Sequence, residues 1–151
     1  MMQVAVGCDH GGYSLKDAVI KAITESGHTA LDFGTHSAER SDYPDYAEKV
    51  SAAILAGKAD RGILICGSGV GICIAANKIP GIYAAICHDT YSAHQGVEHD
   101  RMNVLCLGGR IIGTELAQEL VTAFLKAEFS FGERHIKRTD KVKAIEHKYL
   151  K

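Results

Sequence analysis

The stretch Ile63-Leu64-Ile65-Cys66-Gly67-Ser68-Gly69-Val70-Gly71, which leads into Ile72-Cys73-Ile74-Ala75-Ala76-Asn77-Lys78, is the strongest indication of the fold of this chain. An apolar segment that ends in a cysteine and is followed by alternating glycines predicts a buried strand, a tight turn and a helix. Glycine lacks a Cβ atom, so a small ligand can approach the backbone closely at such a turn. Free amides at the start of the helix favour an anion. The Cys66 thiol beside them is either a nucleophile or base, or only a buried strand-end residue, and this segment leaves both interpretations open.

The same alternation of short apolar runs and helical patterns extends along the whole chain. Strands are predicted over residues 3–7, 28–33, 61–66, 82–87 and 104–107. Helices are predicted over residues 14–26, 45–56, 70–78, 91–99, 114–128 and 138–150. This βαβ order predicts an α/β, Rossmann-like fold of three layers, in which helices cover both faces of a parallel sheet. Ligands of such sheets bind outside the carboxyl ends of the strands.

Length and composition fit one globular domain over residues 1–151. The chain is 46% hydrophobic and 23% charged, with a formal net charge of −1, so we expect neither nucleic acid nor membrane as a partner. Its five cysteines are odd in number and lie mostly in apolar runs, which favours reduced thiols in a cytoplasmic protein. The N-terminus has no basic region ahead of a long apolar segment, so no secretory signal is expected. The last helix is highly charged, and we expect it to pack on a neighbouring subunit or on its own domain.

Three phosphate-binding or signalling motifs fail in this chain. Gly7, Gly12 and Ser14 match a P-loop, but Tyr13 stands where that loop has its lysine. The glycines after the third strand have GxGxG spacing instead of the GxGxxG of a dinucleotide site. A receiver domain would need an aspartate where Cys66 stands. The glycine turn therefore suits a small anion or polyol.

Several separate motifs, in the right order, resemble the family of ribose-5-phosphate isomerase B and the galactose-6-phosphate isomerase subunits. They are Gly7-Cys8-Asp9-His10, Ser41-Asp42-Tyr43-Pro44, the Cys66 turn, Ala75-Ala76-Asn77-Lys78, Tyr91-Ser92-Ala93, His99, Asn103-Val104-Leu105 and Gly109-Arg110-Ile111-Ile112-Gly113. The resemblance implies a five-stranded parallel sheet and an enzyme that interconverts aldose and ketose sugar phosphates without a cofactor or metal. It also implies a homodimer or tetramer whose active sites are shared between subunits.

The family chemistry moves a proton between C2 and C1 of the sugar through a cis-enediolate. The resemblance makes Cys66 the base and Ser68 a hydroxyl that relays a proton between O1 and O2, although serine is also a common turn residue. His99 would open the furanose ring, since histidine changes its charge near neutral pH. A lone histidine at a helix end is otherwise more often structural.

The resemblance assigns further residues to substrate binding. The backbone amides of Gly67, Ser68, Gly69 and Gly71 would form an anion hole. Asp9 would bind sugar hydroxyls, His10 would meet the phosphate and Tyr43 would line the sugar pocket. The phosphate would be held by Arg110, Arg134 and Arg138, because a guanidinium matches phosphate oxygens. Arg134 and Arg138 share one face if they are helical, and the alternative is a solvated basic face.

One departure from the family lies beside the predicted ring-opening histidine. Many members have asparagine and aspartate after it, whereas this chain has His99-Asp100-Arg101. Asp100, placed in the substrate site by the resemblance, cannot donate the hydrogen bonds of an asparagine amide. It would face a sugar hydroxyl or His99, or be neutralised by Arg101. We expect isomerisation of ribose 5-phosphate to ribulose 5-phosphate. The alternatives are a tetrose or hexose phosphate isomerase (erythrose 4-, allose 6- or galactose 6-phosphate) and a non-catalytic sugar-phosphate-binding module.

Overall fold

A computed structural model of the protein describes all residues, 1–151, and contains one parallel sheet of five strands. The strands are β1 (Gln3–Cys8), β2 (Thr29–Asp32), β3 (Arg61–Cys66), β4 (Ala84–Ile86) and β5 (Val104–Gly108). Their spatial order is β2-β1-β3-β5-β4, and every neighbouring pair is parallel. The predicted five-stranded parallel sheet is confirmed.

The chain has six helices, and the first five of them cover the sheet. The helices are α1 (Tyr13–Glu25), α2 (Tyr43–Leu55), α3 (Val70–Ala76), α4 (Thr90–Asp100), α5 (Thr114–Lys126) and α6 (Glu133–Tyr149). Successive strand residues point to opposite faces, so each strand supplies two separate cores. One core lies under α1, α4 and α5 and includes Ile63, Ile65 and Phe124. The other lies under α2 and α3 and includes Leu64 and Ile72. The predicted three-layer arrangement is therefore present.

The largest differences from the predicted elements are at β4 and α6. Only residues 84–86 pair with β5, so β4 is three residues long instead of six. Helix α6 begins at Glu133, five residues before the predicted start. The first turns of α6 carry His135 and Thr139 as their buried side chains, and such polar residues give no apolar periodicity to detect.

Helix α6 is attached to the body of its own domain. The Glu146 carboxylate accepts hydrogen bonds from the Gly81 amide at 3.0 Å and from the Tyr83 hydroxyl at 3.1 Å. On the same helix Val142, Ile145 and Tyr149 are exposed. Packing on its own domain is thus observed, and packing on a neighbouring subunit stays a prediction. No helix in the chain combines the length and the apolar character that crossing a membrane requires.

The sheet topology places a crevice at the carboxyl ends of β1 and β3. These two strands are neighbours, with Cys8 of β1 in register with Ile65 of β3. The chain leaves β1 toward α1 on one face of the sheet and leaves β3 toward α3 on the other. The loops therefore diverge at this point, which is where open α/β sheets bind their ligands.

Candidate active site

The crevice between β1 and β3 holds a cleft of about 380 Å³. It is lined by Asp9, His10, Gly11, Tyr43, Cys66, Gly67, Ser68, Gly71, Arg110 and Ile111. Eight of these ten are residues that the sequence predicted for the site. An adjoining cavity of about 480 Å³ extends from Asp9 and His10 along residues 40–45. The cleft has the size and the polar lining of a small-ligand site.

The Cys66 side chain ends β3 at the floor of the cleft. It is buried, and its Sγ accepts a hydrogen bond from the Gly69 amide at 3.2 Å. Gly69 has a φ of +83°, and a Cβ there would lie 3.1 Å from the Leu107 carbonyl carbon, so the turn requires glycine. The Gly69 amide thus contacts the sulfur, and Gly69 lies outside the cleft lining despite its predicted place in an anion hole.

The amides that remain free belong to Gly67, Ser68 and Gly71. Their N–H groups donate to no atom of the chain, and all three residues line the cleft. The Ser68 side chain is exposed, and its Oγ accepts from the Val70 amide at 3.1 Å. Both of the interpretations of Ser68 from the sequence, turn residue and cleft hydroxyl, are therefore compatible with its position.

Tyr43 begins α2 and lies across the first turn of α3. A Cβ at Gly71 would come within 2.7 Å of the Tyr43 Cζ atom and 2.9 Å of its Cε1 atom. The ring therefore sits where only glycine lets it approach the α3 backbone. This contact makes Tyr43 one wall of the cleft.

Asp9 shapes the loop that follows β1. Its buried carboxylate accepts through Oδ1 from the Gly11 amide at 2.9 Å and the Gly12 amide at 3.2 Å. Its other oxygen, Oδ2, makes no hydrogen bond within the chain. One oxygen therefore fixes the loop, and the other is free for a ligand hydroxyl.

His10 is held by Ser41 in a defined orientation. The His10 amide donates to the Ser41 hydroxyl at 3.1 Å, and the Ser41 amide donates to His10 Nδ1 at 3.1 Å. The Ser41 carbonyl also lies 3.2 Å from Nδ1 and would accept from this nitrogen when it carries a proton. Ser41 therefore contacts Nδ1 in either tautomer, and Nε2 is the ring nitrogen left for a ligand.

Arg110 provides the cation of the cleft. It follows β5, its side chain is exposed and forms no ion pair, and its guanidinium lies over Gly67, where a Cβ would be 3.1 Å from Nη1. A free guanidinium beside free amides is an anion-binding arrangement.

A second group of predicted site residues, His99, Asp100, Arg134 and Arg138, lies outside this cleft. His99 and Asp100 end α4, and the two arginines lie four residues apart on α6, as predicted. The His99 ring stacks on His135, with 4.0 Å between ring centroids and 23° between planes. Burial lowers the pKa of His135, and its cationic neighbours lower it further.

Arg101 does not neutralise Asp100, so this part of the expectation was wrong. Its guanidinium lies 3.9 Å from the centroid of the Phe129 ring and 5.5 Å from that of Phe131, and no ion pair joins it to Asp100. The physical reason is the left-handed conformation of Arg101 (φ 58°), which ends α4 and directs the chain away from the helix axis. Cation–π contact replaces the ion pair.

Sequence reasoning did not assign Gly11, Ile111 or Ser41 to the site. Gly11 lies two residues after Asp9, and Ser41 lies two residues before Tyr43. This closeness in sequence to predicted site residues could have indicated both. Lys16 was also missed. Its buried ammonium binds Asp32 at 3.0 Å and the Thr35 carbonyl at 2.6 Å, and so fixes the start of the loop that leads to Ser41.

Comparison with known proteins places this site in a family. A family model described as Ribose/Galactose Isomerase matches residues 4–142. Ribose-5-phosphate isomerase B of Escherichia coli (strain K12) is 47% identical over 148 residues, which cover 98% of this chain and 99% of that protein. D-erythrulose-4-phosphate isomerase of Pectobacterium atrosepticum is 41% identical, and the match covers 97% of each chain. The structure of Clostridium thermocellum Ribose-5-Phosphate Isomerase B matches with a TM-score of 0.94 and 48% identity, covering 99% of this chain and 100% of that one. The chain therefore belongs to the ribose/galactose isomerase family.

Proposed function

We propose that the protein isomerises ribose 5-phosphate and ribulose 5-phosphate, with Cys66 as the base. The observation that carries the proposal is the Cys66 sulfur, which receives the Gly69 N–H at the floor of a polar cleft beside the unpaired Arg110 guanidinium. The E. coli relative and the C. thermocellum structure, both named as ribose-5-phosphate isomerase B, support this substrate.

The proton transfer uses the sulfur and the free amides. The Cys66 thiolate takes the proton from C2 of the open-chain aldose, and the electron pair moves to the carbonyl oxygen to give a cis-enediolate. The N–H groups of Gly67, Ser68 and Gly71 face the cleft and stabilise the negative oxygen. The thiol then returns a proton to C1, which gives the ketose and regenerates the thiolate.

The other lining residues bind the substrate. The free oxygen of Asp9 accepts from sugar hydroxyls, and Tyr43 closes one side of the sugar. His10 presents Nε2, and Arg110 presents its guanidinium, to phosphate oxygens. Ser68 relays a proton between O1 and O2 of the enediolate.

The remaining predicted residues act from a second subunit in this proposal. His99 and Asp100 on α4 and Arg134 and Arg138 on α6 lie outside the cleft of their own chain. Both arginines are exposed and form no ion pair, so their charges are available to a ligand. A homodimer or tetramer would bring them to the phosphate and ring oxygen of the partner's substrate.

A tetrose phosphate is the second candidate substrate. The P. atrosepticum relative is named for D-erythrulose 4-phosphate, and it matches nearly the whole chain. Asp100 supports this alternative, since it changes the chemistry beside the predicted ring-opening histidine. In erythrose 4-phosphate the O4 oxygen that would close a furanose ring carries the phosphate, so its isomerase would not need a ring-opening group.

The test is turnover of purified protein on ribose 5-, erythrose 4-, allose 6- and galactose 6-phosphates with a chelator present. The proposal expects the highest kcat/KM on ribose 5-phosphate. A clear preference for erythrose 4-phosphate would replace the substrate and keep the mechanism. Binding of a sugar phosphate with neither turnover nor solvent exchange at C2 would contradict an enzymatic function and indicate a non-catalytic sugar-phosphate-binding module.

A further inference from the structure

We propose that Gln95 and Asp100 are positioning residues that place the proton of the neutral His99 imidazole on Nε2. The Gln95 Nε2 atom lies 3.0 Å from His99 Nδ1 and 3.4 Å from Asp100 Oδ2. All three residues belong to α4, where Gln95 and His99, four residues apart, are neighbours on the helix surface, and Asp100 is the last residue of the helix. The consequence for catalysis rests on the proposed function, whereas the tautomer does not.

The carboxylate decides which way the Gln95 amide points. An ionised carboxylate only accepts hydrogen bonds, so the Gln95 NH₂ group, and not its carbonyl oxygen, faces Asp100. The same nitrogen then directs its second hydrogen at His99 Nδ1. A ring nitrogen that accepts a hydrogen bond carries no proton of its own, so the neutral ring is protonated at Nε2.

Helix α6 covers one face of the His99 ring. His135 stacks on His99 at 4.0 Å, and its own Nδ1 lies 2.5 Å from the Ser130 hydroxyl. The charged groups near this pair are Arg134 and Arg138 on α6 and Asp100 on α4. The two arginines disfavour a positive charge on the His135 ring.

The tautomer limits what His99 can do to a substrate. With Nδ1 directed at Gln95, Nε2 is the nitrogen left for a ligand, and it is a donor. His99 can therefore donate a hydrogen bond to the ring oxygen of a closed sugar, but it cannot take a proton from a hydroxyl. An asparagine at position 100 has an amide that both donates and accepts, so it would not fix the orientation of Gln95.

The test is ¹⁵N NMR of the imidazole groups in the full-length protein, at a pH where the histidines are neutral. The His99 signals are assigned by their loss in His99→Ala. In the wild type we expect an unprotonated Nδ1 and a protonated Nε2. In Gln95→Leu and Asp100→Asn we expect a mixture of the two tautomers, and in Gln95→Glu a proton on Nδ1. Gln118→Leu, on α5, removes a glutamine that makes no side-chain hydrogen bond and should leave the His99 signals unchanged.

Turnover provides the second readout. Gln95→Leu should lower kcat on ribose 5-phosphate by about tenfold, less than the loss of roughly 10²–10⁴-fold that follows removal of an acid–base group. A wild-type His99 protonated at Nδ1, or a tautomer unchanged in both Gln95→Leu and Asp100→Asn, overturns the inference. Absence of turnover in the wild type would overturn the proposed function and leave the NMR result standing.

Discussion

Replacing Gly71 with alanine should damage the site without damaging the fold. The new Cβ would lie 2.7 Å from Tyr43 Cζ, which is about 0.7 Å inside the 3.4 Å at which ordinary contact begins. Tyr43 is 39% exposed, so its ring can swing toward solvent, and the clash is relieved by moving one wall of the cleft. A shift of this size near reacting atoms costs up to about 10²-fold in rate. We therefore expect kcat/KM to fall by roughly 10- to 100-fold.

The stability of this variant should change little. Overpacking a site costs about 1–3 kcal/mol, and the exposed ring places the cost at the lower end of that range. Alanine in place of a helical glycine returns about 0.5–1 kcal/mol, because it restricts the unfolded chain. The urea midpoint of Gly71→Ala should therefore stay close to that of the wild type, while its activity falls.

A double-mutant cycle separates the clash from other effects. In a Tyr43→Ala background the ring is absent, so adding Gly71→Ala should cause no further loss of kcat/KM. Gly113→Ala is the matched control, since its Cβ would meet no atom within 4 Å. Wild-type kcat/KM in Gly71→Ala, or an equal loss with and without the Tyr43 ring, would refute the reasoning.

A hydrogen bond with the Cys106 thiol lowers the pKa of Cys73 to about 7, whereas burial raises the pKa values of Cys8 and Cys87 to about 11. Iodoacetamide at pH 7.5 should therefore label Cys73 before Cys8 and Cys87, as read from a peptide map. Equal labelling of the three cysteines would contradict this order. The Ser92 amide donates to the Asp89 carboxylate at 2.7 Å and lowers its pKa, so this contribution to stability is present at neutral pH and is lost as the pH falls below about 4. Asp89→Ala should accordingly lower the urea midpoint at pH 7 but not near pH 2, and a constant difference would count against the cap. Arg138→Ala should mainly raise KM for the sugar phosphate; a fall in kcat alone would remove Arg138 from the phosphate site.

The sheet and its ligand crevice were predictable from the sequence, because both depend on local patterns. The apolar run at Ile63–Ile65 is continuous, as expected for a strand covered on both faces. The glycines after Cys66 marked the turn, and the positive φ of Gly69 shows why that turn needs one. The place of the crevice follows from the general rule that α/β sheets bind ligands outside the carboxyl ends of their strands.

The contacts that the sequence did not predict are polar or cation–π contacts, most of them between residues distant in sequence. Lys16 is buried in α1 because Asp32 and the Thr35 carbonyl bind its ammonium group. A periodic sequence pattern does not predict such partners. Arg101 stacks on Phe129 instead of pairing with its neighbour Asp100. The separation of His99 from the cleft of its own chain is likewise a property of the tertiary arrangement of α4 and α6, which motif order does not encode.

The measurement that tests the central claim most directly is the conversion of ribose 5-phosphate in D₂O by wild type, Cys66→Ala and Cys73→Ala. If Cys66 carries the proton, the wild type should place solvent deuterium at C1 of ribulose 5-phosphate and at C2 of recovered ribose 5-phosphate. Cys66→Ala should be inactive and folded, and Cys73→Ala should behave as the wild type. Conversion without deuterium incorporation, or near-wild-type kcat in Cys66→Ala, would contradict the account.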